Sequence, residues 1–294
     1  MIRKDKIKEE FKELASNIGI DAIGVVKARI FDDYGKILKK RGHVSLAEPD
    51  GEKRINPFKI MPQAKSIIVC LFSYNVKINE KSNISSYAYG TDYHIVVKKK
   101  LEGLSEILTD NGFSAQCYTD TGALSDRYLA FNAGLGFYGK NGMLINHKLG
   151  SRFFIGHIIT DCMLDADKPV DNYMCMGCGK CIDACPSGAI KDGFLFDEKL
   201  CASYITQKKG ELSDREQDII KKSGYIWGCD ICQNVCPHNS NPLKTSIEEF
   251  KENLIYNLDI DENMSNREFK RLYGDRAFSW RGKNILIRNA DLLK

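Results

Sequence analysis

Residues 3–18 place Ile7, Phe11, Leu14 and Ile18 three or four positions apart with charged residues between them, which predicts an amphipathic helix. The AIGVV that follows has no polar interruption and reads as a buried strand. KSIIVCLFSYNV (65–76) predicts a second strand, DYHIVVKKKLEGLSEIL (92–108) a helix, and FSAQCYTD (113–120) a strand with alternating apolar positions. LSDRYLAFNA predicts a short helix stopped by Gly134. GMLINHK and SRFFIGHIIT predict a hairpin turning at Leu149 and Gly150. Helix alternating with strand over residues 1–165 predicts an α/β domain. A cysteine-rich module occupies 166–245, and a helical segment 246–294.

Composition narrows the class. With 294 residues, 43% hydrophobic and 28% charged, the chain is long enough for one large domain or two modest ones with real cores. Its longest apolar stretches, SIIVCLF and RFFIGHII, fall far short of a membrane span. The opening MIRKDKIKEEFKEL mixes charge with apolar residues at helical spacing, so neither signal peptide nor anchor is expected and the cytoplasm is the expected location. A net charge of +4 excludes a histone-like polycation but leaves room for a local basic patch. Residues 264–294 hold one: eight Lys/Arg against three Asp/Glu, with aromatics among them in FSWRGKN.

The chemistry is concentrated in the cysteines. Eleven are present, eight of them between Cys175 and Cys236. CMGCGKCIDACP, from Cys175 to Pro186, is the full C-x2-C-x2-C-x3-C-P run that wraps an iron-sulfur cubane, its fourth cysteine reaching the other cluster. GCDICQNVCP (228–237) is the same run with its first cysteine absent, because Ile226 stands where a partner for Cys175 belongs. The spacing gives Cys175, Cys178, Cys181 and Cys236 to one 4Fe-4S cluster. Cys185, Cys229 and Cys232 then need one more thiolate for a second cluster, and Cys201 is the only unassigned cysteine inside the module. Structural zinc also uses thiolates, but not at this repeated spacing. Cys70, Cys117 and Cys162 lie in apolar or strand-like contexts and read as packing residues.

Two further motifs are decoys. GLGFYG (134–139) matches G-x-G-x-x-G formally, but it follows a helix-like segment and lacks the distant acidic partner of a dinucleotide site. Asp92-Tyr93-His94 matches the start of a cobalamin-ligating D-x-H-x-x-G signature, yet Val97 holds the final glycine position; His94 reads as a supporting residue instead. Asp120, in YTDTGALSDR, stands at a strand end. It is either a turn-former or a general acid, since strand ends of α/β domains face ligand crevices and a shielded carboxyl can hold a proton.

YAYGTDYHIVVKKKL, TDTGALSDRYLAFNAGLGFYGKNGMLI, GSRFFIGHIITD, the CMGCGKCIDACPSGAI run, CASYIT and GCDICQNVCPHN together resemble the epoxyqueuosine reductase family over nearly the whole chain. The resemblance implies an N-terminal α/β cobalamin-binding domain followed by a ferredoxin-like double 4Fe-4S module, and reduction of epoxyqueuosine to queuosine in tRNA. It also places the eighth cluster ligand at Cys201. Asp120 matches the family's proton donor; Arg54, Tyr89, Asp120, Leu144 and Ile155 fall in segments that line the cobalamin. An electron donor such as flavodoxin or ferredoxin is implied, as are tRNA as partner and no membrane. Departures are Ala123 and Asp126 for a usual proline and glutamate, Phe137 for a usual tryptophan, and an end at Lys294 where a helical-repeat extension commonly follows. The chain thus resembles a short form. Rival readings are a cobalamin and iron-sulfur reductase of a small molecule, as in reductive dehalogenases, and a plain electron-transfer iron-sulfur protein.

Overall fold

The computed structural model describes residues 2–41, 48–78, 80–170, 174–192 and 195–294. Helix α1 (Ile2–Asn17) buries Ile7, Phe11 and Ala15, and leads into β1 (Ala22–Lys27). Helix α2 (Asp32–Arg41), for which the apolar pattern gave no signal, precedes β2 (Ser66–Ser73), whose eight residues are all buried. Then come α3 (Tyr93–Asp110), β3 (Ala115–Thr119), α4 (Asp126–Asn132), the short β4 (Phe137–Tyr138) and β5 (Leu144–Ile145), and β6 (Phe153–Thr160).

Four strands form one antiparallel sheet in the order β1-β2-β6-β3. Side chains alternate across it as the period of two requires. Ile68, Cys70, Phe72, Phe154 and Ile158 pack under α1 and α3, while Ile67, Val69, Leu71 and Ile159 pack under Tyr128, Leu129 and Ala130 of α4. The α/β layering expected from the sequence is present.

The expected hairpin is corrected. β6 has both edges taken, by β2 and β3, so GMLINHK cannot pair with it; β5 pairs instead with β4, and only the bridge Asn146 to Gly150 remains of the turn. The GLGFYG decoy finds its use here. A Cβ at Gly136 would lie 2.5 Å from the Ile145 carbonyl oxygen, so the glycine lets β4 and β5 approach.

The cysteine module is built from short elements: the single turns α5 (Lys180–Asp183), α6 (Ala202–Ile205) and α8 (Ile231–Asn234), the two-residue strands β7 (Ile190–Lys191) and β8 (Leu195–Phe196), and the ten-residue helix α7 (Asp214–Ser223). Two helices close the chain, α9 (Asn266–Tyr273) and α10 (Lys283–Asp291). They share a third core with the 84–89 loop and the module: Ile84, Tyr89, Ile226, Trp227, Phe269, Phe278 and Leu286. Among the described residues, no helix is long and apolar enough to cross a membrane.

Candidate active site

The eight cysteines between 175 and 236 fall into two groups. Cys175, Cys178, Cys181 and Cys236 line one cavity with Lys140, Lys180 and His238. Burial raises the Cys181 thiol, and the neighbouring charges that add to it are those of Cys175, Cys236 and Cys178. The second group is deeper. Burial pushes Cys229 up to about 12, helped by Cys201, Asp230 and Cys185; Cys232 is raised by burial and by Cys229, Cys201, Asp230 and Cys185. Cys201 thus stands with Cys185, Cys229 and Cys232. Among the described residues, no three Cys, His, Asp or Glu side chains gather tightly enough for a single metal ion. The repeated C-x2-C-x2-C-x3-C-P spacing suits a multi-iron cluster better than zinc.

Ile226, at the position of the absent cysteine, is only 1% exposed. Its amide donates to the Asn83 carbonyl at 2.7 Å and its carbonyl accepts from Asn289 at 2.8 Å. A thiolate there would face core rather than cluster.

At the other end of the site, Asp120 follows β3 with φ +55, a left-handed conformation that Asp and Asn tolerate better than other side chains. Tyr93 donates its hydroxyl to Asp120 Oδ2 at 2.6 Å, and His94 Nε2 lies 3.5 Å from the same oxygen. Asp92 caps α3 and also meets His94 Nδ1 at 2.7 Å. The Asp120 side chain is 63% exposed yet crowded from below. Desolvation raises its carboxyl, but hydrogen bonds from His94 and Tyr93 and the charge of His94 outweigh this and hold it below its ordinary value. For His94, desolvation lowers the imidazole; the bonds to Asp120 and Asp92 and their charges override it and bring it up to about 9. Sequence reasoning found Asp120 but gave Tyr93 no role.

It also missed Arg127. On the first turn of α4, this residue donates to the Gly142 carbonyl at 3.2 Å, and its charge favours the ionised forms of both Asp120 and Cys201. Asp120 and the deeper thiol group therefore share one electrostatic neighbour. Beside it, His157 is fully buried in β6, with Nδ1 2.8 Å from Asp126 Oδ1 and Nε2 without a hydrogen-bond partner.

The other sequence-predicted contacts divide. Leu144 and Ile155 lie at the second core, against which Ile55 also packs, next to Arg54 in the chain. Thr119 Oγ1 donates to the Ile155 carbonyl at 3.2 Å, tying it to the Asp120 turn. Arg54 donates to Tyr34 Oη at 3.3 Å and leaves Nε without a partner. Tyr89 sits apart in the third core, its carbonyl accepting from Arg276 at 3.2 Å. The basic C-terminal segment divides too. Arg276 is buried and Arg288 donates to the Lys208 and Gly210 carbonyls, whereas Trp280 is 56% exposed with Arg281 stacked 3.7 Å over its ring.

Comparison with known proteins bears on both ends of this arrangement. Residues 174–239 match the family of 4Fe-4S double cluster binding domains, and residues 54–121 match that described as epoxyqueuosine reductase QueG, DUF1730. The chain therefore carries an iron-sulfur cluster domain. It is 37% identical to the epoxyqueuosine reductase of Bacillus cereus, over 98% of this chain and 80% of that protein. It is 36% identical to that of Leadbetterella byssophila, over 97% and 98%, so a relative of nearly the same span bears the same name. A crystal structure of epoxyqueuosine reductase with an epoxyqueuosine-modified tRNA-Tyr stem loop superposes with a TM-score of 0.88 at 34% identity, covering 98% of this chain and 80% of that one. At 17% identity and a TM-score of 0.52, a B12-dependent reductive dehalogenase shares the fold over 97% of this chain and 36% of its own. Identity of this extent, over nearly the whole chain, makes the chain a member of the epoxyqueuosine reductase family.

Proposed function

We propose that this oxidoreductase reduces the epoxide of epoxyqueuosine in a tRNA anticodon loop to the alkene of queuosine. The observation that carries the reading is Asp120, held by the Tyr93 hydroxyl at 2.6 Å, in a chain whose relative of nearly the same span is an epoxyqueuosine reductase. A proton-handling group and an electron-delivering group then serve one reacting centre. The overall change takes up two electrons and two protons and releases the oxygen as water.

In this reading Cys175, Cys178, Cys181 and Cys236 hold one 4Fe-4S cluster and Cys185, Cys201, Cys229 and Cys232 the other. Cys178 is exposed, flanked by exposed Met174 and Met176, while Cys229 and Cys232 are raised by burial. Electrons would enter at the first cluster, from a carrier such as flavodoxin or ferredoxin, and pass to the second. Residues 1–165 form the catalytic domain, 166–245 the electron-delivery module and 246–294 a surface for tRNA.

The residues at the crevice suit cobalamin, whose rim is lined with amides. Of seven buried side-chain atoms without a hydrogen-bond partner among the described residues, four are Arg54 Nε, Ser86 Oγ, Arg152 Nε and His157 Nε2, for which an amide-rich ligand would supply partners. Arg54 would take a polar edge, Leu144 and Ile155 an apolar one, with Tyr89 three residues from Ser86. When bound, cobalamin would supply a low-valent cobalt as the source of electrons for the reduction. Asp120 protonates the departing oxygen, general-acid catalysis being worth typically about 100- to 10,000-fold. Tyr93 holds the carboxyl in place.

The test is anaerobic turnover of a stem loop carrying epoxyqueuosine by protein reconstituted with iron, sulfide and cobalamin, read by mass as loss of one oxygen. No product from the fully loaded protein removes the reading. Turnover of a free organohalide with no effect of RNA supports the dehalogenase-like rival.

A further inference from the structure

Hydrogen-bond bookkeeping at Asp120 shows a proton that the mechanism above leaves out. Asp92 Oδ1 accepts from the His94 amide at 3.0 Å and stands 2.7 Å from His94 Nδ1, which makes Nδ1 the donor. Nε2 then faces Asp120 Oδ2 at 3.5 Å, and that oxygen already accepts from Tyr93. A bare Nε2 and a carboxylate are both acceptors and repel each other. The approach is attractive only with a proton between them.

We propose, on the reading of Asp120 given above, that His94 is a positioning residue that stores the proton Asp120 delivers, so that the acid of this site is the His94–Asp120 pair. The carboxyl alone is poorly suited to the task, because its neighbours hold it below its ordinary value and it stands ionised at neutral pH. His94, brought up to about 9, is protonated there. In the step, the Nε2–H bond breaks as an O–H bond forms on Asp120 Oδ2. That O–H bond breaks in turn as one forms on the epoxide oxygen. The electrons come from the reduced low-potential carrier through the clusters. His94, 36% exposed, reloads from solvent and the second proton reaches the same oxygen, which leaves as water. The groups facing the pair are Asp92 and Tyr93 on α3, Arg127 on α4, Tyr87 against Tyr93, and Asp275, whose carbonyl accepts the Asp92 amide and whose carboxylate meets Arg276.

Two measurements test the assignment. The first needs no substrate: titration of isotope-labelled histidine by NMR in the oxidised holoprotein. A midpoint near 9 is expected for His94 in the wild type, falling by at least about one unit in Asp120→Asn. A midpoint at the ordinary value of about 6.5 overturns the pairing whatever the substrate proves to be. The second is the pH profile of single-turnover rate on the RNA stem loop. The wild type is expected to hold its rate up to a limb near 9 and then to fall about tenfold per pH unit. His94→Gln should lose that limb and about 100-fold of the neutral rate at unchanged cluster absorbance. Asp92→Asn, which retains His94, should move the limb to lower pH. A His94→Gln profile of wild-type shape, or an Asp92→Asn limb that stays in place, overturns the proposal. Full turnover in Asp120→Asn would remove Asp120 itself; loss there with a wild-type profile in His94→Gln removes only the stored proton.

Discussion

Ser85 donates its hydroxyl to Asp230, a residue 145 positions away that lies between Cys229 and Cys232. Ser86 adds its amide at 2.6 Å, and Asp230 is only 2% exposed. The loop that leads toward Tyr93 is thereby fixed to the backbone that presents the deeper thiols. A buried carboxylate with two such donors orients its surroundings as well as stabilising them.

Gly228 makes that contact possible. Its φ is +68, and a Cβ there would lie 2.4 Å from Ser85 Cβ. Gly228→Ala should therefore cost at least about 1–2 kcal/mol from the left-handed backbone alone, with loss of one cluster before the other. Thermal melting with iron analysis checks this; a variant of wild-type stability with full iron refutes it.

Cys201→Ala should lower iron from about eight to about four per chain, whereas Cys70→Ala should leave about eight. Cys70 is fully buried beneath α1 and α3, remote from both thiol groups. Equal iron in the wild type and the Cys201 variant rules out Cys201 as a ligand.

Asp120→Asn preserves the left-handed backbone, because asparagine tolerates φ near +55 as aspartate does. The variant should fold, load its clusters and lose about 100-fold or more in product formation, since the amide cannot supply the proton. Unchanged turnover shows Asp120 to be a turn-former.

Arg281 and Arg288 should behave differently. Arg281, stacked on exposed Trp280, is placed for phosphate, so Arg281→Ala should weaken RNA binding and reduce the salt slope by about one. Arg288 serves the Lys208 and Gly210 carbonyls, and Arg288→Ala should cost stability on the order of 1–3 kcal/mol. Salt titrations and denaturation of both variants separate the two roles; matching effects contradict the distinction.

The His94 charge also bears on stability against pH. Its folded value is raised to about 9 from the ordinary 6.5, so its contribution is complete below about 6.5 and is lost as pH rises through about 9. The melting temperature of the wild type should fall over that window more than that of His94→Gln. Parallel curves disprove the linkage.

Periodicity made the main layers legible. Ile7 and Phe11 of α1, the unbroken apolar run of β2 and the alternation in β3 each carry their pattern locally, because each faces one large core. The failures are those of partner choice. Leu144 and Ile145 are apolar enough to pair with either neighbour, and only the filled edges of β6 decide for Phe137 and Tyr138. Cys201 stands in neither spaced run and was reached only as the cysteine left over inside the module; its proximity to Cys229 and Cys232 is a product of the fold. Arg127 was not legible, since an arginine on the first turn of a helix looks like any solvated charge. Its field at both Asp120 and Cys201 exists only once α4 lies across the sheet.

On the ligand assignment proposed above, the exchange of Cys185 and Cys236 between the two cysteine runs constrains how the protein can mature. During synthesis, the thiols from Cys175 to Cys185 emerge first, yet the outer group lacks its fourth member until Cys236 and the inner group until Cys232. Neither site can be finished early. The segment from 186 to 228 must fold back before the ligand set of either site is complete. Completing either one holds residues near 185 and 236 together and shortens the loop that remains to be closed for the other. The first cluster to form therefore lowers the chain entropy that remains to be lost in forming the second.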